Sequence, residues 1–427
     1  FMSLFWLIFL IPFSYLCFKK PLWALCFILA FLPLYQIRFH IIVPFSLLEI
    51  EILILALVNL VKWAIKKQRI VFPHKLISYL IVAFLIIAVL TIIYSPNLKK
   101  AAGYGKAYFI EPVLLAFLAF NLVRSKKDLL LLVKSLCGGV FWISLWAISQ
   151  KFLGGGVFSL ETWGEPKIWR ATGPFPHPNF LGLYLGPIIP LCLGLFLEEN
   201  SKKKRFFWLI CFFLGFIALI LARSEGAILA TSIASIFFLL FISKTTRKII
   251  ICFLIVFLIS FSFNFLGLKD KIIPKITLED LSGQLRLNIW QGAVKMLEDS
   301  LILGVGLGGY EKMAPLYQER YYNTNGELVS VETHPYPHNL FLAFYLELGF
   351  FGFLFFCLIL GLFFSHSFVL LKKQKDFLIL GAVFSMITIL IHGLVDTPYF
   401  KNDLSVLFWI IFSLPLIFNH IFYETKD

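Results

Sequence analysis

Long apolar stretches alternate with short polar ones along most of the 427-residue chain. Many of the apolar stretches approach the ~20 residues that a helix needs to cross a bilayer, and few of them carry charges. This pattern predicts an all-α protein, a polytopic bundle of transmembrane helices. We place thirteen spans at 3–18, 22–35, 41–61, 76–94, 107–123, 128–150, 177–197, 206–222, 227–243, 249–265, 338–371, 377–395 and 404–422.

The first two predicted spans leave the total number of spans open. The first two runs are short, and if only one of them crosses, twelve spans remain and the N-terminus moves to the other side of the membrane. The first run has neither a basic lead nor a small-residue cleavage site, so we expect no cleaved signal peptide here.

Charge then orients the bundle. Hydrophobic residues make up 60% of the chain and charged residues only 15%, but the net charge of +14 would also fit a nucleic-acid-binding protein. The basic residues cluster in alternate loops, at 19–20, 62–75, 124–127, 202–205, 244–248 and 372–375. By the positive-inside rule these loops are cytoplasmic, and the long segment 266–336 lies outside. The excess charge therefore indicates topology, and we expect no nucleic-acid partner.

Polar residues gather in five patches on the predicted outer side. The patches are the 151–176 loop with the start of the next span (Arg170, His177, Asn179), the short hairpin with Arg223 and Glu225, the 266–336 segment, the HPYPHN stretch at 334–339, and the turn with His392 and Asp396. Within 266–336, apolar residues recur at helical spacing from Leu285 to Leu297, which predicts an amphipathic helix that carries Arg286 toward the bundle.

Each of these residues also has a structural explanation. An arginine at a span end commonly anchors the helix at the lipid headgroups, and His177 lies between prolines as a turn residue would. Ionisable residues inside or near the spans are costly unless they are paired or face water, and structural pairing explains them as readily as function does. These residues are Glu49, Glu51, Glu111, Lys134 and Glu347.

Three further patterns do not indicate cofactor sites. The GVGLGGY stretch at 304–310 contains a GxGxxG, but that fingerprint binds dinucleotides only between a strand and a helix, which the sequence does not predict here. His334 and His338 have the spacing of a helical zinc motif, but Pro335 and Pro337 stand between them. The seven cysteines lie singly in apolar runs. We therefore expect no cofactor and no metal requirement.

The polar stretch before the eleventh span carries the most specific pattern. His338 and Asn339 are followed by nine residues, Gly349, two residues and Gly352. This resembles the H-[NSQ]-x9-G-x2-[GTY] pattern of the O-antigen ligase and polymerase superfamily. The segment RATGPFPHPNFLGLYL is similar to the arginine-bearing outer loop of that superfamily, and ARSEGAILA to its short SRG hairpin with the arginine shifted by one place. RLNIWQGAVKMLEDSLILGVGLGGY is similar to the segment before its catalytic helix, so the resemblance extends over about 165–400.

The resemblance implies a glycosyltransferase of the bacterial cytoplasmic (inner) membrane that acts on the extracytoplasmic side. The implied donor is a glycan on undecaprenyl diphosphate, and the acceptor is a saccharide or a lipid-anchored glycan. Both would meet the protein at the surface of the membrane lipid. On this basis the chain divides into N-terminal helices at 1–150 and a catalytic membrane region at 151–427. The second part contains the extracytoplasmic segment 266–336 and the C-terminal spans 338–422.

The chemistry of such a reaction agrees with the residues present. A diphosphate leaving group needs positive charge, which Arg170, Arg223 and Arg286 would supply because a guanidinium binds phosphate oxygens bidentately. At the positive end of a helix a neutral imidazole is favoured, so His338 would accept the proton of the acceptor hydroxyl. We expect Asn339, Tyr336 and Asp396 to support this group.

Other functions stay open at this point. Ligases, chain polymerases and protein O-oligosaccharyltransferases share these motifs, and His338 could simply begin a helix. A flippase or transporter of a lipid-linked glycan would show paired broken spans with ionisable groups near the bilayer midplane. A membrane scaffold would leave the clustered arginines and histidines unexplained.

Overall fold

The computed structural model describes residues 2–40, 44–153, 162–163, 168–318, 321–322, 328–329 and 334–424. Parts of the 151–176 loop and of the 266–336 segment, both singled out in the sequence, therefore lie outside the described residues.

The described chain is almost entirely helical, as the sequence predicts. Its described strands are short and form three antiparallel pairs of neighbours in sequence. The helices are α1 Met2–Lys19, α2 Pro21–Ala30, α3 Leu47–Lys66, α4 Lys75–Ile93, α5 Leu98–Tyr104, α6 Glu111–Leu122, α7 Lys126–Leu153, α8 Pro178–Glu198, α9 Lys202–Ala222, α10 Glu225–Leu240, α11 Lys244–Ser262, α12 Leu268–Ile276, α13 Leu281–Asp299, α14 Tyr310–Tyr317, α15 Leu340–Lys373, α16 Phe377–His392 and α17 Asn402–Asn419. The strands are β1 Arg38–His40, β2 Pro44–Ser46, β3 Thr162–Trp163, β4 Ile168–Trp169, β5 Tyr321–Tyr322 and β6 Leu328–Val329.

Each predicted span overlaps a helix, and among the described residues eight helices are long and apolar enough to cross a membrane. The chain is a multi-pass membrane protein. Two predicted boundaries are wrong. The span expected at 22–35 ends at Ala30 and gives way to a 3₁₀ turn that contains Pro33. The span expected to begin at 41 begins at Leu47, because Ser46 and Glu49 form a capping box that starts the helix there.

The bundle is built around α8, which packs against α7, α9, α10 and α16. Small residues allow these close contacts, as is common between helices in lipid. A Cβ on Gly194 would lie 2.6 Å from the carbonyl oxygen of Phe377 at the start of α16, and one on Gly182 would lie 2.8 Å from the Cβ of Ser224. The α17 helix packs beside this group against α6, α15 and α16.

The loops separate into two sets that match the alternation in the sequence. On the side predicted to be cytoplasmic, Lys126 pairs with both Glu198 and Asp376, which joins three loops. On the other side, the amide of Gln36 donates to the carbonyl of Pro174 at 2.7 Å. Lys100 pairs there with Glu311 in α14. Loops predicted to share a side thus contact each other.

A kink in α15 holds the predicted outer segment against the bundle. Gly349 has φ 69° and ψ −176° inside this 34-residue helix. The break frees backbone groups, so the amide of Phe350 donates to the carbonyl of Ile302 at 2.9 Å and the amide of Val305 to that of Leu346 at 2.7 Å. A β-carbon at Gly349 would lie 2.6 Å from the carbonyl oxygen of Leu303. The first glycine of the 338–352 pattern is therefore needed for docking.

The glycine-rich stretch 304–310 has a structural role in this contact. The carboxylate of Glu347, fully buried in α15, accepts hydrogen bonds from the amides of Gly308 and Tyr310. The stretch precedes α14 and follows α13, so no strand leads into it as a dinucleotide fold requires.

The predicted amphipathic helix at 285–297 is confirmed as part of α13. Its buried face contains Ile289, Ala293 and Met296, which pack with Tyr310 of α14 and Leu346 of α15. The opposite face is exposed, and the helix caps the bundle on the predicted outer side.

Structural pairing explains some of the ionisable residues near the spans. Glu49 caps α3 and pairs with Lys106 at 3.2 Å, and Lys134 pairs with Glu199 at 2.6 Å. For Glu51 and Glu111 one carboxylate oxygen is buried with no hydrogen-bond partner among the described residues.

Cysteine labelling tests which set of loops is cytoplasmic. In a background without the seven native cysteines, a cysteine at exposed Lys203 or Lys373 should resist a membrane-impermeant thiol reagent in intact cells, and one at exposed Glu298 should react. Reaction at Lys203 and Lys373 with protection at Glu298 would invert the topology.

A second prediction concerns the kink. Gly349→Ala should destabilise the protein by about 1–3 kcal/mol, because alanine is strained at this φ and its β-carbon meets Leu303. Thermal unfolding of the purified protein in detergent measures the loss. The control is Gly361→Ala in the same helix, where a β-carbon meets nothing within 4 Å and should be harmless. Equal melting temperatures for the two variants would contradict the docking role of Gly349.

Candidate active site

A cavity of about 420 Å³ opens on the predicted outer side of the bundle. It lies between the start of α8, helix α13, the 334–338 stretch and the turn that joins α16 to α17. Its polar wall includes His177, Asn179, Arg286, His334, His338 and Asp396. Four of the five polar patches found in the sequence contribute to it.

The polar stretch before α15 is fixed by the cap of that helix. The side-chain oxygen of Asn339 accepts hydrogen bonds from the amides of Phe341 and Leu342, each at 3.0 Å, and its amide group donates to the carbonyl of Leu394 at 3.0 Å. The amide of Leu340 donates to the carbonyl of Gly393 at 2.7 Å. The start of α15 is thus tied to the end of α16, and Asn339, not His338, is the residue that caps the helix.

His338 therefore lies just before the helix, in a left-handed backbone conformation with φ 47°. Such a conformation is unfavourable for a residue other than glycine and is concentrated at functional sites. The cap on one side and α13 on the other hold it there, since the indole of Trp290 donates to the carbonyl of Pro337 at 3.0 Å.

His338 forms a pair with Asp396. Nδ1 of His338 lies 3.2 Å from Oδ1 of Asp396, which also accepts the amide of Thr397 at 2.8 Å. Burial alone would raise the pKa of Asp396, but the hydrogen bond with His338, the charge interactions with His338 and His392, and the hydrogen bond from the amide of Thr397 outweigh it and hold that pKa well below its usual range. An ionised carboxylate at this place favours the imidazole tautomer with a proton on Nδ1, which leaves Nε2 as the basic atom.

His177 has a structural role that the sequence left open. It is the N-cap of α8, and its Nδ1 accepts the amide of Asn179 at 3.1 Å. Burial, followed by the charge of Arg170, lowers the pKa of His177 to about 4. The ring is therefore neutral at physiological pH, on the cavity wall.

The three arginines chosen from the sequence are in different places. Arg286 lines the cavity, where its Nε donates to the carbonyl of Val395 at 3.1 Å and Nη1 donates to the hydroxyl of Ser282 at 2.9 Å. Arg223 is exposed and ends α9 with φ 49°. All three arginines lie on the same side of the bundle, but of the three only Arg286 lines the cavity.

Arg170 holds the loop before α8 to the end of α9. Its Nε donates to the carbonyl of Ala222 at 2.8 Å, and Nη2 donates to the carbonyl of Arg223 at 3.2 Å and to the side chain of Asn179 at 2.6 Å. It reaches the cavity only through Asn179, which lies on the wall.

Tyr336 is buried and stacks on Phe400 with ring centroids 4.6 Å apart, so it forms an apolar part of the wall. His334 and His338 are outside any helix, as their prolines predict, yet their rings touch with centroids 4.5 Å apart. Within the described ranges there is no group of three His, Cys, Asp or Glu residues that could hold a metal ion.

Sequence reasoning missed Lys401, which also lines the cavity. Its Nζ is buried over the ring of Phe180, 2.6 Å from the centroid. The sequence contained a signal for it, because Lys401 interrupts the turn between two spans on the side where the positive-inside rule predicts few basic residues.

A family model described as O-antigen ligase matches residues 210–357. The matched part runs from within α9 to Cys357 in α15, so it includes the whole 338–352 pattern, and it contains Arg223, Arg286 and His338. Arg170, Asp396 and Lys401 lie outside it. No curated protein matches the chain.

The contacts of the arginines predict different effects of their removal. Arg170→Ala should lower the melting temperature measurably, because it leaves three acceptors without a charged donor, each bond contributing on the order of 1.5–3 kcal/mol. The control, Arg223→Ala, removes an exposed side chain and should leave the melting temperature nearly unchanged. A melting temperature unaffected by Arg170→Ala would contradict a structural role for this arginine.

Proposed function

From the match of residues 210–357 to a family model described as O-antigen ligase, we propose that the chain transfers a glycan from undecaprenyl diphosphate to a saccharide acceptor on the outer side of the cytoplasmic membrane. The family implies a ligase-type glycosyltransferase activity. The observation that supports this proposed reaction most directly is the His338–Asp396 pair on the wall of a cavity at the helix ends.

The proposed chemistry uses His338 as a general base. Nε2 takes the proton of the acceptor hydroxyl as its oxygen forms a bond to C1 of the donor sugar. The bond between C1 and the phosphate oxygen breaks, and its electron pair leaves with undecaprenyl diphosphate. The carboxylate of Asp396 stabilises the imidazolium that forms and keeps the ring oriented.

Charge at the site suits a departing diphosphate. Arg286 presents its guanidinium to the cavity, and cations placed where negative charge develops stabilise such a transition state. Arg170 acts through Asn179 in this proposal, which would position the wall of the cavity. We assign Arg223, exposed beside Arg170, to the diphosphate or to lipid headgroups nearby.

The location of the cavity favours transfer over transport. Its polar residues lie at the start of α8, in the first two turns of α13, before α15 and between α16 and α17, all near helix ends. A transporter places its ionisable groups near the bilayer midplane. A site at the helix ends lets the polyprenyl tail remain in lipid while the reactive bond is at the surface.

An acceptor that is itself membrane-anchored suits this geometry. Donor and acceptor confined to one plane have a raised effective concentration, so no large acceptor-binding domain is needed. We therefore favour a saccharide on a lipid over a soluble polypeptide, and a reaction without a metal or other cofactor.

Reconstitution tests the proposal. Purified protein in liposomes, given an undecaprenyl diphosphate glycan and a lipid-anchored saccharide, should form the joined glycan in the presence of EDTA. His338→Ala and Asp396→Asn should each lower the rate about 10²–10⁴-fold at equal protein amount, since each disables the proposed base. The control, His74→Ala, changes an exposed histidine before α4 and should retain full activity.

Three outcomes would contradict parts of the proposal. Near wild-type rates for both site variants would remove the pair from the mechanism. Glycan found on Ser or Thr of a soluble protein, and on no lipid-linked saccharide, would indicate a protein O-oligosaccharyltransferase. Movement of the donor across the liposome with no bond cleaved would indicate a flippase.

A further inference from the structure

The basic side chains around the cavity differ in how many of their donors are already used. Arg170 donates three hydrogen bonds to the protein, and Arg286 donates through two of its nitrogens. The Nζ of Lys401 donates to no acceptor among the described residues. Lys401 is therefore the cavity lysine with unused donors.

Lys401 is held firmly at this place by its backbone. It is the residue just before α17, where its amide donates to the carbonyl of Tyr399 at 2.7 Å and its carbonyl accepts the amide of Ser405 at 2.9 Å. Its Nζ is in contact with the ring of Phe180 and lies 5.9 Å from the ring centroid of Tyr35. Among the described residues no carboxylate forms an ion pair with it.

A buried ammonium in this situation is unfavourable for folding. An ionised group removed from water loses its hydration, and a ring face replaces only part of that interaction. A phosphate oxygen would accept hydrogen bonds that a ring face cannot, and a charge-assisted hydrogen bond is roughly twice as strong as a neutral one. Lys401 is therefore suited to bind a ligand with negative charge.

We propose that Lys401 binds the anionic diphosphate of the lipid-linked donor in this cavity, through its unused ammonium donors. This rests on the function proposed above and adds a phosphate-binding residue that lies outside the matched family region. Lys401 is in the same turn as Asp396, so the phosphate would lie close to the His338–Asp396 pair.

The charged groups that face Lys401 come from several elements. Asp396 in the preceding turn and Asp403 in α17 attract its charge, and Arg38 in β1 opposes it. The His177 ring before α8 and the Tyr35 ring in the turn after α2 are the other titratable neighbours. Burial is the largest effect and lowers the pKa of Lys401 to about 7.

The sign of the pH effect follows from that value. The ammonium is charged below about pH 7 and neutral above it, so this contribution to phosphate binding should weaken as pH rises through 7. An arginine at the same place stays charged throughout. Comparison of wild type with Lys401→Arg therefore removes the ligand's own titration from the result.

The experiment measures binding of undecaprenyl diphosphate to the purified protein in detergent, with undecaprenol as the uncharged probe. Lys401→Met should bind undecaprenyl diphosphate about 10- to 100-fold more weakly, as expected for loss of a charged hydrogen bond, and should bind undecaprenol as wild type does. Lys401→Arg should restore much of the affinity and retain it above pH 7. The control is Lys312→Met, which changes an exposed lysine of α14 that donates to the carbonyl of Pro96.

Thermal unfolding separates this role from a structural one. Methionine fills a similar volume without a buried charge, so the melting temperature of Lys401→Met should equal or exceed that of wild type. Unchanged undecaprenyl diphosphate affinity in Lys401→Met, while wild type transfers glycan, would overturn the inference and leave the proposed function intact. A lower melting temperature that Lys401→Arg does not correct would also overturn it. Wild type that neither binds undecaprenyl diphosphate nor transfers glycan would overturn the proposed function itself.

Discussion

The junction between the start of α15 and the end of α16 is the interaction on which the cavity depends. Asn339 caps α15 and at the same time donates to the carbonyl of Leu394, and the amide of Leu340 donates to that of Gly393. These bonds place the residue before the cap against the turn after α16. His338 and Asp396, 58 positions apart in sequence, meet because of it.

A second contact extends this arrangement to the predicted outer segment. The kink at Gly349 frees backbone groups that bind residues 302–305, and the buried Glu347 binds the amides that follow. Helix α13 is held over the cavity as a result, with Arg286 on its wall. Packing in the bundle, the positive φ angles at Gly349 and His338 and the geometry of the candidate site are thus linked.

The basic residues near the cavity have two different roles, one structural and one available for ligand binding. Arg170 donates hydrogen bonds to the end of α9, whereas the Nζ of Lys401, beside the cavity, has no hydrogen-bond partner among the described residues. Arg170 is therefore a hydrogen-bonded residue next to the cavity wall, and Lys401 is a buried residue on that wall whose charge is available to a ligand. In a reaction that releases a diphosphate, Arg170 would maintain the shape of the site, and Lys401 would stabilise the negative charge that develops.

Much of this could be predicted from the sequence. Hydropathy and length locate the helices, alternate basic clusters predict which loops share a side, and helical spacing locates α13, because each of these depends on local composition alone. The 338–352 pattern indicates the family whose model matches residues 210–357. Tertiary contacts set the rest: the cap falls on Asn339 because it reaches the end of α16, and Arg170 meets the end of α9 only once α8 and α9 are packed. Lys401 becomes a cavity residue only when α17 lies beside the start of α8.

The central claim is that the site with the His338–Asp396 pair breaks the bond between the glycan and the lipid diphosphate by direct transfer of the glycan to the acceptor. Its most direct test is the stoichiometry of a single turnover in liposomes, measured as undecaprenyl diphosphate released and glycan joined to the acceptor. The account predicts that the two products appear together in equal amounts and at the same rate. Release of undecaprenyl diphosphate without joined glycan, or donor that crosses the membrane intact, would contradict it.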